Sequence, residues 1–318
     1  MHVTLQVKRF NPEAPEPKPY QQEYFLEVEE HFTVLDTLIK VREEVDETLA
    51  LRCSCRASIC GSCAMRINGH AALACKTKLS GVMDPHGHVK VEPVGNMPVI
   101  KDLVADMKPF WDKVRAVEPW LQPQGPEPEH EYIAPNEAMI HLTGVMACIM
   151  CGACVSDCTV LEVDSNFLGP AALAKAYRFV ADPRDDASPT RLRALEQYGG
   201  VWDCTRCYEC VQVCPKGVDP MGRIMALRDK AVHVGLDQTI GARHTEVFTE
   251  SVRHSGTLDE LRLAIKTPGI FNIPAQLSQL RWVGLRAMLK GKMPPIFHKS
   301  IPGLRHVRRI FEKVEGQP

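Results

Sequence analysis

No stretch of the sequence approaches 18 consecutive apolar residues, so no membrane-spanning helix is expected. The opening MHVTLQVKRF lacks the charged-then-apolar layout of a secretory signal, and a mature, unanchored subunit is the simplest reading. A dominant charge is missing too. With 38 Lys and Arg against 39 Asp and Glu, the net charge of -1 offers no global field to recruit nucleic acid or a membrane. Nor do the twelve histidines make a site, because His86 and His88, His244 and His254, and His298 and His306 lack partners at ligand spacing. With 45% hydrophobic and 24% charged residues the chain is not a disordered one, and 318 residues suffice for two compact domains and some extra material.

Cysteine is what the sequence has in excess, and its thirteen cysteines fall into three tight groups. Disulfide scaffolds of that density are usually much shorter secreted chains. Repeated Cys-x2-Cys spacing in a long chain without a signal points instead to metal held by thiolates. Cys55, Cys60 and Cys63, spaced C-x4-C-x2-C with Cys75 downstream, have the plant-type arrangement for a 2Fe-2S cluster. Four thiolates are needed because two bridged irons each keep two open tetrahedral positions. Gly61 and Ser62 allow the loop to close around the cluster with backbone N–H groups turned to sulfur.

Cys148, Cys151, Cys154 and Cys158 follow the spacing C-x2-C-x2-C-x3-C, and Cys204, Cys207, Cys210 and Cys214 repeat it before Pro215. This is the run of dicluster ferredoxins, in which the fourth cysteine of each run ligates the other cluster. One 4Fe-4S site is therefore Cys148, Cys151, Cys154 and Cys214, and the second is Cys158, Cys204, Cys207 and Cys210. The second could be 3Fe-4S. Structural zinc also accepts four thiolates, but paired zinc knuckles rarely reproduce the x3-Cys ending twice. Twelve ligands leave Cys53, read as a small packed thiol or, given its place two residues before Cys55, a swapped ligand.

The cysteine groups sit on different scaffolds. Alternation at Val3, Leu5, Val7 and at Tyr24, Leu26, Val28 predicts two strands in a hairpin around a Pro-rich turn near residues 12 to 19. Residues 34 to 45 have helical spacing, Asn68-Gly69 marks a turn, and His88 to Val94 reads as a closing strand. The fold expected is α+β: a 2Fe-2S ferredoxin (β-grasp) domain over 1–108, a helical dicluster domain over 109–235 and a helical basic extension over 236–318. PWLQPQGPEPEHEYIAP is the candidate linker, and PAALAKAYRFV and PMGRIMALRDKAV are helices with proline in the first turn. The extension is expected to hold two or three amphipathic helices. Residues 281 to 318 contain nine Lys or Arg against two Glu, and Trp282, Leu285, Met288 and Leu289 recur at helical spacing.

CRASICGSCAMRINGHAALAC, with PVIKDLVADM, CIMCGACVSDC, GPAALAKAYRFVADPRD and CVQVCPKGVDP, closely resembles the iron-sulfur subunit family of succinate dehydrogenases and fumarate reductases over residues 1 to 232. The resemblance implies a subunit docked on an FAD-containing flavoprotein that interconverts succinate and fumarate. Electrons would pass between that flavin and a membrane-side acceptor, and no residue of this chain would act as acid or base. Three departures stand out. Cys207 fills a slot that usually lacks cysteine and leaves a 3Fe-4S centre. Thr159, Val160 and Leu161 replace the usual Pro and paired Trp, which argues against direct quinone reduction there. The chain also runs about 80 residues past the usual end, where GARHTEVFTESVRHSG is heterodisulfide-reductase-C-like, resembling the helical two-cluster subunit of those enzymes. Together they imply a membrane-side partner with cysteine-rich, heterodisulfide-reductase-B-like domains, quinone reached indirectly, and a peripheral position on the cytoplasmic face of the cell membrane. The alternative is a heterodisulfide-reductase-like electron-transfer subunit serving another substrate.

Overall fold

The computed structural model describes residues 1–292, 295 and 298–316; the side chains at 279, 280, 282 and 283 lie outside that description, so the ring of Trp282 is not placed. The chain divides into two compact units, Met1–Lys230 and Ala231–Pro318.

The first unit begins with β1 (His2–Arg9), β2 (Tyr20–Glu27) and α1 (Val34–Lys40), followed by β3 (Ala64–Ile67), β4 (His70–Leu73) and β5 (His88–Glu92). These five strands form one sheet in the order β2-β1-β5-β3-β4. The two early strands pair antiparallel, with His2 opposite Glu27 and Arg9 opposite Tyr20, while β5 runs parallel to β1. Alternation puts Val3, Leu5 and Val7 on the face that buries against Leu35 and Leu38 of α1. Thr33 caps α1 through a capping box with Asp36. The helix stops at Lys40 and continues only as a π-helical turn over Val41–Val45, shorter than the regular helix expected to 45. Asn68 (φ 51°) and Gly69 (φ 89°) both lie in the left-handed region that a two-residue type I′ hairpin requires, and they join β3 to β4.

A small hairpin, β6 (Val99–Lys101) with β7 (Val104–Ala105), leads into α2 (Lys108–Ala116). Then come α3 (Asn136–Met146), α4 (Ala153–Ser156), α5 (Thr159–Val163), α6 (Gly169–Val180), α7 (Ser188–Leu195), α8 (Glu209–Gln212) and α9 (Pro220–His233). The most buried of these is α6, from Gly169 to Val180, and the cysteine-bearing α4 packs on it and on α8. The proline-rich linker has no regular structure between residues 121 and 135, but its start is not free. Buried Arg191 donates to the carbonyls of Val117, Glu118 and Trp120 (3.0, 2.7 and 2.7 Å) while its guanidinium pairs with buried Asp185 (2.9 Å). Removing either partner would leave a charge buried and unpaired, which costs about 3–5 kcal/mol.

Among its described residues the second unit has four helices where two or three were expected: α10 (Ile240–Ser255), α11 (Glu260–Lys266), α12 (Ile273–Leu289) and α13 (Leu304–Glu315). The additional break is chemical. Gly256 ends α10 in the left-handed conformation (φ 81°), Asp259 caps α11, and Asn272 caps α12 with Pro274 in its first turn.

Candidate cluster-binding sites

All thirteen cysteines are free of disulfides. Four of them converge at the mouth of the sheet domain. Cys63 and Cys75 flank the β3–β4 hairpin, where the Ala74 N–H donates to the Cys63 carbonyl (3.1 Å), while Cys55 and Cys60 lie on the loop before it. Arg56 (φ 54°), Ser58 (φ 57°) and Gly61 (φ 75°) turn that loop left-handed. Such turns aim backbone donors inward. Ala57, Ile59 and Cys60 donate to Cys55 Sγ at 3.4, 3.3 and 3.3 Å, and Ser58 donates to Cys75 Sγ at 3.3 Å. Donors of this kind orient ligand sulfurs and tune a bound cluster. The Ser62 hydroxyl and backbone donors bring the Cys60 thiol down to about 6, whereas burial pushes Cys63 up to about 12. Ligation must therefore displace a proton from Cys63.

The two runs in the helical domain share one backbone trace. Met150 (φ 55°) and Gly152 (φ 81°) in the first run match Arg206 (φ 60°) and Tyr208 (φ 73°) in the second. The repeated spacing thus encodes a repeated wrap, although Tyr208 adopts it without the freedom of glycine. Each run then enters a short helix carrying its third cysteine, Cys154 on α4 and Cys210 on α8. The two short helices, α4 and α8, pack on each other. One cavity is lined by Cys148, Cys151, Cys154 and Cys214 together. In the other group, burial raises the Cys158 thiol and the charges of Cys207 and Cys204 add to it; Cys210, pushed up to about 12 by burial, feels Cys204, Cys158 and Cys207. The first run's Cys148, Cys151 and Cys154 thus share a cavity with Cys214 of the second run, and Cys158 of the first run lies within electrostatic reach of Cys204, Cys207 and Cys210. A cavity lined by four cysteines, with the Val218 N–H donating to Cys214 Sγ (3.4 Å), suits a four-iron cluster.

Two features escaped the sequence. The Thr159 hydroxyl donates to Cys207 Sγ at 3.5 Å. The other is Gly61. A Cβ there would meet Cys151 Cβ at 2.7 Å and Cys151 Cα at 3.0 Å, so the loop of the two-iron site lies directly against a ligand candidate of the first four-iron site. Stapling around the contact is polar. Asn96 Nδ2 donates to the carbonyls of Val155, Ser156 and Cys158, and Asp157 accepts from the Ala71 N–H at 2.8 Å, tying α4 to the sheet. Cys53 is packed at the edge of the sheet core and takes no part in the hydrogen bonds of the loop sulfurs.

The Gly61 contact predicts a separable defect. Gly61→Ala must place a Cβ into Cys151 and hold alanine at φ 75°, which costs about 1–2 kcal/mol for the backbone alone. Both clusters should assemble with unchanged spectra, because no sulfur is removed, while electron transfer between them slows as the loops move apart. Paramagnetic resonance combined with rapid-freeze reduction checks this. Wild-type transfer rates in the variant would show that the contact is not the path.

Among known proteins the same two modules recur. Residues 4–112 match the family described as 2Fe-2S iron-sulfur cluster binding domain, and residues 144–218 match the 4Fe-4S dicluster domain. The fumarate reductase iron-sulfur subunit of Mycobacterium tuberculosis is 40% identical over 224 residues, covering 70% of this chain and 90% of that one. The 8-methylmenaquinol:fumarate reductase iron-sulfur subunit of Wolinella succinogenes is 33% identical over 287 residues, 88% of each chain. The succinate dehydrogenase iron-sulfur subunit of Paracoccus denitrificans is 37% identical over 228 residues, 71% of this chain and 86% of that one. Among solved structures, a chain of the Mycobacterium smegmatis Sdh1 complex in the apo form superposes with a TM-score of 0.67 at 25% identity, covering 74% of this chain and 98% of that one.

Proposed function

The chain belongs to the iron-sulfur subunit family of succinate dehydrogenases and fumarate reductases, and on that premise we propose that it passes electrons between the FAD of a flavoprotein subunit and a membrane-side, quinone-linked subunit. Iron-sulfur clusters supply one-electron transfer when bound, and this chain's part is to hold and space them. Cys55, Cys60, Cys63 and Cys75 would hold the 2Fe-2S cluster. Cys148, Cys151, Cys154 and Cys214 would hold the first 4Fe-4S cluster, and Cys158, Cys204, Cys207 and Cys210 the second. The observation that carries this reading is the crossed grouping of the sulfurs, with the two-iron loop one contact away at Gly61 and Cys151. Dicarboxylate chemistry belongs to the flavoprotein.

The acceptor side is of the variant kind. The Wolinella relative aligns over 287 residues, too many to be confined to the first 232, so it shares part of the C-terminal extension as well as the cluster domains. Its name couples 8-methylmenaquinol, a quinol, to fumarate. A filled Cys207 position and Thr159 in place of proline support transfer to a cysteine-rich, heterodisulfide-reductase-B-like partner, with quinone one step further. We place the assembly at the cytoplasmic face of the membrane. Anaerobic co-purification of the chain with its neighbours tests the reading. Succinate should reduce its clusters, and fumarate should reoxidise them. Clusters that respond to a thiol–disulfide couple and ignore both dicarboxylates would support the heterodisulfide-reductase-like alternative instead.

A further inference from the structure

From Leu261 to Phe311 the sequence contains ten Lys or Arg residues and no Asp or Glu, within a chain whose net charge is only -1. The middle of this acid-free stretch is α12. On the side facing α11, the Gln276 amide donates to the carbonyls of Ile265, Gly269 and Ile270 (3.3, 2.7 and 3.0 Å), which fixes the rotation of the helix about its axis. Gln276 and Ala287, close together on that side, are accordingly half-covered. The other side is open and mostly apolar. At 3.6 residues per turn, Leu277, Leu285, Met288 and Leu289 share that half of the helix with the exposed Ser278 and Arg281; the four apolar side chains are exposed, and Phe271 in the preceding turn is 96% exposed.

We propose that this face of α12, with Phe271, lies in the headgroup region of an anionic lipid bilayer. Large exposed apolar side chains interspersed with and flanked by cations, with no acid in the stretch, suit a helix lying in the plane of an interface, where Arg281 extends its head to the lipid phosphates. Arg286 is exposed at the edge of this face and Lys292 just past the end of the helix, placed to reach lipid phosphates while the apolar side chains enter the acyl boundary. Contact would be shallow, since among the described residues no helix is long and apolar enough to cross a membrane. The cysteines all lie in the other unit, so the surface is an anchor additional to whatever the partner subunits provide.

The test uses the full, cluster-loaded chain sedimented with vesicles of phosphatidylcholine alone or of phosphatidylcholine with phosphatidylglycerol. Adding the anionic lipid should raise the bound fraction roughly tenfold or more, and raised salt should reverse it. The double variant Leu277→Asp/Leu285→Asp should lose about tenfold of that binding. Its helical circular dichroism and cluster spectra should match wild type, since both positions are exposed. Equal binding to the two vesicle types, an unaffected double variant, or no binding by wild type would each overturn the proposal. Binding to native membranes but not to protein-free vesicles would also overturn it, assigning the face to a protein partner.

Discussion

Replacing Cys75 with alanine is expected to abolish the 2Fe-2S signal and to stop succinate-linked reduction of both remaining clusters, while dithionite still reduces them. Cys75 follows β4 and is fixed by the Ser58 N–H at 3.3 Å, so no neighbouring sulfur can take its place without breaking the loop that also orients Cys55. The sheet should survive, because Cys75 packs only at the margin of a core built from Val3, Leu5, Leu35, Leu38 and Leu73. The geometry is the reason to expect serial transfer. The two-iron loop touches the helical domain at Cys151, a candidate ligand of the first four-iron site, so an electron entering at the sheet domain meets that site before the second. Succinate-driven reduction of the four-iron centres at the wild-type rate in Cys75→Ala would refute the linear order.

How far such a layout can be read from sequence depends on whether the signal is local. The β1–β2 hairpin, the Asn68-Gly69 turn and the prolines opening α6 and α9 are set by residues a few positions apart, and each lies where alternation or turn chemistry puts it. The contact of Cys214 with the first run's cavity is long-range in sequence, but the second run repeats the first, and two matching wraps packed through α4 and α8 bring it there. Other contacts have no local signature. Arg9 is 3% exposed and reaches Asp102 (2.9 Å) and Asp46 (2.6 Å); burial opposes its charge, but the two carboxylates outweigh it and raise its affinity for the proton. Ninety-three residues separate Arg9 from Asp102, and neither belongs to a motif. Gly61 was legible as a loop glycine. Its contact with Cys151 depends on docking two domains, and spacing within one loop says nothing of that.

Cys207 should make the third centre a 4Fe-4S cluster where the familiar arrangement leaves 3Fe-4S. A 3Fe-4S centre lacks one iron because the fourth thiolate is absent, and supplying it restores the corner. Here the sulfur is in reach of the group: its charge acts on both Cys158 and Cys210, and Thr159 donates to it at 3.5 Å. It is also exposed, so the fourth iron would sit at the surface of the helical domain, where a partner's cluster could approach it. Paramagnetic resonance of the anaerobically prepared protein should then show this centre silent when oxidised and visible when reduced. Cys207→Ala should invert the pattern, giving an oxidised 3Fe-4S signal and a higher potential, with the 2Fe-2S and first four-iron signals unchanged. Thr159→Val, which keeps the shape and removes the hydroxyl, should lower the potential of the four-iron form by withdrawing one donor from sulfur. A stoichiometric 3Fe-4S signal in wild type that persists after reconstitution with iron and sulfide would show that Cys207 is not a ligand, and direct transfer from a three-iron centre would then have to be considered for the acceptor side.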